Sequence, residues 1–175
     1  MNKRKMSTRT IALMGILMAM QIILTRFLSI QTPFVRIGFT FVPIVIMSMM
    51  FNPWITGVGT LLADFVGIIV FGSTGPYFPG FSLSALLTGL VYSFFFYKKE
   101  MSLKRIIVAS LIVGLVIELG LNTVWLYMIA PGPGVLAQVP LRLGKAAILI
   151  PIKIFVIYLI SHNQVMQNQI KRFRS

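Results

Sequence analysis

Residues 53–71 read PWITGVGTLLADFVGIIVF, an apolar run in which Asp64 is the single charge. About 20 predominantly apolar residues suffice for a helix to cross the ~30 Å hydrocarbon core of a bilayer. Asn52-Pro53 marks a turn, and Pro suits the first helical turn because its missing N–H would be unpaired there anyway. Gly57, Gly59, Ala63 and Gly67 supply the small residues that let helices pack closely in lipid. The run closes on GSTGPYFPG, residues 72–80, a loop rich in turn formers. This pattern predicts a membrane-spanning helix, and with it an all-α integral membrane protein.

The rest of the chain repeats the reading. Of its 175 residues, 57% are hydrophobic and 11% charged, with a mean hydropathy of +0.91. Those values lie far from a soluble domain, and the length leaves room for one domain, residues 1–175, of six helices. The predicted spans are 8–28, 37–51, 53–71, 81–97, 106–128 and 139–162, broken by Lys98–Arg105 and by Pro131-Gly132-Pro133-Gly134.

Most of the net charge of +13 flanks the apolar runs. Lys3, Arg4, Lys5 and Arg9 precede the first apolar run, Lys98, Lys99, Lys104 and Arg105 follow the fourth, and Lys171, Arg172 and Arg174 lie beyond the last. The loops at 72–80 and 128–138 carry no Lys or Arg. Positive loops stay in the cytoplasm, which predicts a multi-pass protein of the cell membrane with both termini inside. No basic face with interleaved aromatics remains for nucleic acid. Cysteine is absent, which removes disulfides and Cys metal sites. The first apolar run is too long for a signal h-region, so it reads as a retained helix.

Seven charges nevertheless lie within the apolar stretches or at their ends: Arg26, Arg36, Asp64, Glu118, Arg142, Lys145 and Lys153. Each costs about 2.5–3.5 kcal/mol at membrane depth on insertion scales, so each needs a partner, a wet cavity or a ligand. Five are cations and two are acids, an excess that points to an anionic solute. Arg142, Lys145, Leu149 and Lys153 fall on one helical stripe, although snorkelling to lipid phosphates accounts for part of such a stripe. Pro151 interrupts the same helix and frees a carbonyl near Ala147. Glu118, Asn122 and Trp125 share another face, where a carboxylate, an amide and an indole suit a flat heterocycle. Equally, Glu118 could neutralise Arg142 or Lys145, and Asp64 is expected to pair with Arg36 or Arg26 before it meets a ligand. His162 receives no role.

No Ser/His/Asp set, phosphate-cradling Gly-rich loop or metal cluster emerges, so no catalysis and no cofactor are expected on this chain. Ala12, Gly15 and Ala19 form a small-residue patch on the first helix that permits another helix to approach, from this chain or a partner.

Three runs carry a resemblance: Arg36-Ile-Gly-Phe-Thr-Phe-Val-Pro43, Gly57-Val-Gly-Thr-Leu-Leu-Ala-Asp64-Phe-Val-Gly67 and Phe78-Pro-Gly-Phe-Ser-Leu-Ser-Ala85. Together they closely resemble the folate-specific S components of energy-coupling factor (ECF) transporters, over nearly the whole chain. The Gly-rich run is similar to one shared by several vitamin S components, and the third run is the more folate-like. The first-helix pattern is similar to the family's Ala-x-x-x-Ala docking motif, with Gly15 in the first small position. The resemblance implies capture of a vitamin near the external face, under the loop between helices one and two. It further implies docking on a transmembrane coupling subunit served by two cytoplasmic ATPases, which use the ATP. On that reading the pterin would meet Glu118 or Asp64 and aromatics among Tyr77, Phe81 and Trp125, near Ser84. Arg26, Arg36, Arg142 and Lys145 would hold the glutamate carboxylates. The rival readings are an S component for another anionic vitamin such as pantothenate, a self-sufficient secondary transporter, and a ligand-free scaffold.

Overall fold

The computed structural model describes residues 8–31, 36–72 and 78–174. The chain runs α1 (Thr8–Arg26), β1 (Ser29–Gln31), β2 (Arg36–Gly38), α2 (Phe41–Met50), α3 (Pro53–Phe71) and α4 (Pro79–Phe96). Then come α5 (Leu103–Leu111), a π-helical segment (Ile112–Leu121), α6 (Asn122–Ile129), α7 (Pro133–Leu136), α8 (Val139–His162) and α9 (Gln164–Arg174). Five stretches are long and apolar enough to cross a membrane: Thr8–Arg26, Pro53–Phe71, Pro79–Phe96, Leu103–Ile129 and Pro133–His162. Their outward apolar side chains, such as Ile69, Phe155 and Ile148, suit a lipid surround.

Helix α3 begins where expected. Asn52 caps it by accepting from the Ile55 N–H at 2.8 Å, and Pro53 occupies the first turn. It ends at Gly72, whose φ of +75° disfavours a side chain. The second expected span is different. Residues Arg36–Gly38 pair antiparallel with Ser29–Gln31, in the register Ser29↔Gly38. That leaves α2 with 10 residues, about 15 Å of helix and shorter than the hydrocarbon core. Hairpin pairing claims the residues that hydropathy alone assigns to a span.

α3 and α4 form the tightest pair. A Cβ built on Gly89 would lie 2.5 Å from Thr60 Oγ1 and 3.0 Å from Gly57 Cα, so these backbones meet where the sequence offers glycine. Hydroxyls inside this seam are satisfied: Thr60 donates to the Ala85 carbonyl at 2.9 Å and Ser93 to the Phe51 carbonyl at 2.8 Å. Gln21 reaches in from α1, its Nε2 donating to the Thr60 carbonyl at 3.2 Å.

The core proper lies toward the end of the bundle bearing the Lys98–Arg105 loop, hereafter the basic end. There Val45, Met47, Met49, Tyr92, Phe96, Ile106 and Ile157 are buried, and α9 packs against α2 and α8. At the opposite, hairpin end, α6 buries no residue fully. Dense packing anchors one end and leaves polar side chains room at the other.

Candidate functional site

Two seams converge at the hairpin end. The first runs between α3, α4 and α6. The expected partners of Asp64 were Arg26 and Arg36, but its Oδ2 accepts from Ser82 Oγ at 3.0 Å. Ser82 lies in the first turn of α4, and the packing of α4 on α3 places its hydroxyl within reach of the carboxylate. Arg26 instead donates from Nη1 to the Gly72 carbonyl at 2.7 Å, tying the end of α1 to the end of α3. The Arg36 side chain and all of Tyr77 lie outside the described residues.

Ser84 is buried and accepts from Trp125 Nε1 at 3.0 Å. Trp125 also meets Phe78, with ring centroids 5.7 Å apart and planes inclined by 44°. Phe81 completes the corner, edge-on to Phe78 at 6.4 Å. An indole pinned at its nitrogen, with a neighbouring ring at an angle, offers a fixed apolar surface with a defined orientation.

The second seam lies between the π-helical segment, α6 and α8. Glu118 takes Lys153 as its partner, Nζ to Oε1 at 2.5 Å, with the Lys153 side chain 4% exposed. The anticipated partners Arg142 and Lys145 are not the ones it selects. Lys153 lies deeper, two helical turns beyond Lys145, and its ammonium sits 5.8 Å from the Phe41 ring centre. Arg142 Nη1 donates to Thr123 Oγ1, and Lys145 is half-buried on the same helix. Two of the three cations on α8 therefore stay near the hairpin end, while the third is neutralised in the interior.

Glu118, Asn122 and Trp125 do not act as a single stripe. Glu118 faces α8 and Trp125 faces α4. Hydrogen bonding of the i→i+5 kind across Ile112–Leu121 widens the helix and changes its angular progression. Asn122 lies at the junction, and its Oδ1 is buried with no hydrogen-bond partner among the described residues. Such an acceptor costs about 1–3 kcal/mol when left unfilled. A ligand N–H would fill it.

Ala12, Gly15 and Ala19 all lie on the exposed face of α1, opposite buried Leu17, Gln21 and Thr25. A Cβ on Gly15 would meet nothing within 4 Å. The patch thus faces away from this chain's own helices. His162 is at the basic end, its Nδ1 3.0 Å from the Tyr158 carbonyl. No group of three or more His, Cys, Asp or Glu converges among the described residues.

Ser82, Thr123 and Phe78 are participants that residue types and spacing do not single out, and Lys153 is singled out as a charge but not as the partner of Glu118. Phe78 and Ser82 sit in the quoted Phe78–Ala85 run, and Lys153 lies on the predicted cation stripe. Thr123 carries no signal beyond being a hydroxyl one residue from Asn122.

Residues 9–163 match the family model described as the substrate-specific component of the ECF transporter. A relative from Clostridium novyi (strain NT), "Folate transporter FolT", is 42% identical over 145 residues, covering 83% of each chain. A second "Folate transporter FolT", from Leuconostoc mesenteroides subsp. mesenteroides, is 30% identical over 98% of this chain and 94% of its own. Among solved structures, "Crystal structure of FolT bound with folic acid" superposes with a TM-score of 0.83 at 40% identity. That match covers 89% of this chain and 93% of the other.

Proposed function

Because the chain belongs to the substrate-specific components of ECF transporters, we propose that it is a folate-binding membrane subunit of an ATP-driven vitamin uptake complex. The observation that carries this reading is the match over 89% of the chain to a FolT structure holding folic acid. The two seams at the hairpin end fit such a ligand chemically. Folate is an anion at one end and a flat, donor-bearing ring at the other.

In this reading the glutamate carboxylates meet Arg142 and Lys145, with Arg26 and Arg36 nearby on α1 and the hairpin. Charge-assisted bonds of this kind are shorter and stronger than neutral ones. The pterin ring enters between the seams, where Trp125, Phe78 and Phe81 supply apolar surface. Asp64 and Asn122 accept from its N–H groups, and Ser84 fixes the indole. Glu118, already held by Lys153, acts through the packing of the second seam.

The basic end lies in the cytoplasm and the hairpin end outside, in accord with the charge distribution of the loops. Residues 1–175 form one domain whose spans number six when α2 is included. Ala12, Gly15 and Ala19 present a close-approach face to the transmembrane coupling subunit. ATP hydrolysis belongs to two partner ATPases, so the chain itself is non-catalytic and needs no cofactor.

Calorimetry on the detergent-purified protein tests the reading directly. Tight, stoichiometric binding of folic acid without any partner is the expected result. Folded protein that binds neither oxidised nor reduced folates would overturn it.

A further inference from the structure

We propose that Gly80 is a specificity-determining position. Its missing side chain lets Phe78 and Trp125 close into the corner against which the flat ring of the ligand stacks. The inference rests on the folate reading and adds to it the element that selects the ring.

Gly80 is buried in the first turn of α4. A Cβ built there would lie 2.6 Å from Phe78 Cε1, 2.8 Å from Phe78 Cδ1 and 2.6 Å from Trp125 Cδ2. Carbon atoms are comfortable near 3.5–4.0 Å, so even a methyl group displaces both rings together. The fit is not forced by backbone conformation, since Gly80 is not among the glycines with positive φ. What the position requires is space.

Trp125 cannot simply yield. Its nitrogen is tied to Ser84 at 3.0 Å, and Ser84 is itself 5% exposed. Phe78 is braced edge-on against Phe81. Yet Trp125 and Phe78 are only partly buried, so surface remains for a third ring. Asn122 precedes Trp125 by three residues on α6, a spacing that puts both on one helix face. Its buried, unpartnered Oδ1 is an acceptor suited to an N–H on that third ring. The corner therefore specifies a planar, donor-bearing heteroaromatic group, while the cations on α8 attend to the anionic tail.

A comparison of two ligands on three proteins tests this. Folic acid carries ring and tail, whereas 4-aminobenzoyl-L-glutamate keeps the tail and lacks the ring. Both are titrated calorimetrically against the unsubstituted protein, Gly80→Ala and Ser84→Ala. Gly80→Ala is expected to weaken folic acid about tenfold, the scale of one lost aromatic stacking contact, and to leave the fragment within about twofold. Ser84→Ala, which adds no bulk and frees the indole, is expected to shift selectivity the same way by a smaller factor. It decides the matter if Gly80→Ala does not fold. Equal losses for both ligands, or no loss for either, would reduce Gly80 to a packing residue and overturn the proposal. Absence of folic acid binding to the unsubstituted protein would instead remove the folate reading, and this inference with it.

Discussion

The α3–α4 seam and the seam between the π-helical segment and α8 solve the same problem in opposite ways. Both must bring helices together without a hydrophobic force between them, since lipid tails are as apolar as the side chains. α3 and α4 do it with absence: Gly57 and Gly89 let the backbones touch, and Thr60 and Ser93 have found carbonyl acceptors. The second seam does it with charge: Glu118 and Lys153 join between the π-helical segment and α8, Arg142 leans on Thr123, and Asn122 keeps an acceptor unfilled among the described residues. The difference teaches where a ligand can intervene. Where the glycines let the α3–α4 backbones touch, no room is left for a ligand, whereas the second seam, and Asp64 at the hairpin end of the first, keep polar groups that a ligand can meet.

The largest expected effect is at the ion pair. Lys153→Ala leaves Glu118, whose side chain is 31% exposed, without its ion-pair partner and should cost about 3 kcal/mol, the low end for a buried pair, read as a fall in thermal unfolding temperature in detergent. Adding Glu118→Gln to Lys153→Met should recover most of that loss, because an apolar replacement of the whole pair is often neutral. If the single variant is as stable as the parent, the second seam is not held by charge.

Next in size, Arg142→Ala with Lys145→Ala should weaken folic acid binding by about 2–5 kcal/mol if both meet buried carboxylates. Unchanged affinity in the double variant would take α8 out of the ligand site and confine recognition to the first seam. The glycine seam is expected to respond less. Gly89→Ala drives a methyl into Thr60 and the Gly57 backbone, and overpacking of that kind costs about 1–3 kcal/mol. Its folic acid affinity should change little, which separates scaffold from site.

The smallest stability effect belongs to the outer face of α1. A Cβ at Gly15 meets nothing within 4 Å, and Gly15→Leu on this exposed face should stay within about 0.5 kcal/mol of the parent. Folic acid binding should persist while uptake by the reconstituted complex falls. Normal uptake with Gly15→Leu would detach this patch from partner docking.

Legibility in the sequence followed the range of the interaction concerned. The bounds of α3 (Pro53–Phe71) and α8 (Val139–His162) coincide with those predicted, because hydropathy and the prolines that open each helix act within a few residues of one another. The hairpin was not legible. Ser29–Gln31 and Arg36–Gly38 are too short to carry an alternating pattern, and their pairing needs a register that composition does not encode. The π-helical segment was equally hidden, since its apolar residues satisfy an α period as well. α9 was read only as a basic tail; its Ile170 becomes buried because α2 and α8 supply a surface for it.

The site divided along the same line. That charges lay at depth, that cations exceeded acids, and that Ala12, Gly15 and Ala19 formed a patch were all plain from residue types and spacing. Transfer free energies add up along a chain and need no knowledge of neighbours in space, so the sequence by itself determined a helical membrane protein with an excess of cations in and around its spans. Partner choice depends on which distant residues the packing brings within about 3 Å. Only the tertiary structure could decide that Glu118 takes Lys153 rather than Arg142 or Lys145, that Asp64 takes Ser82 rather than Arg26, and that Trp125 takes Ser84. A difference of one helical turn, about 5.4 Å, separates a hydrogen bond from no contact.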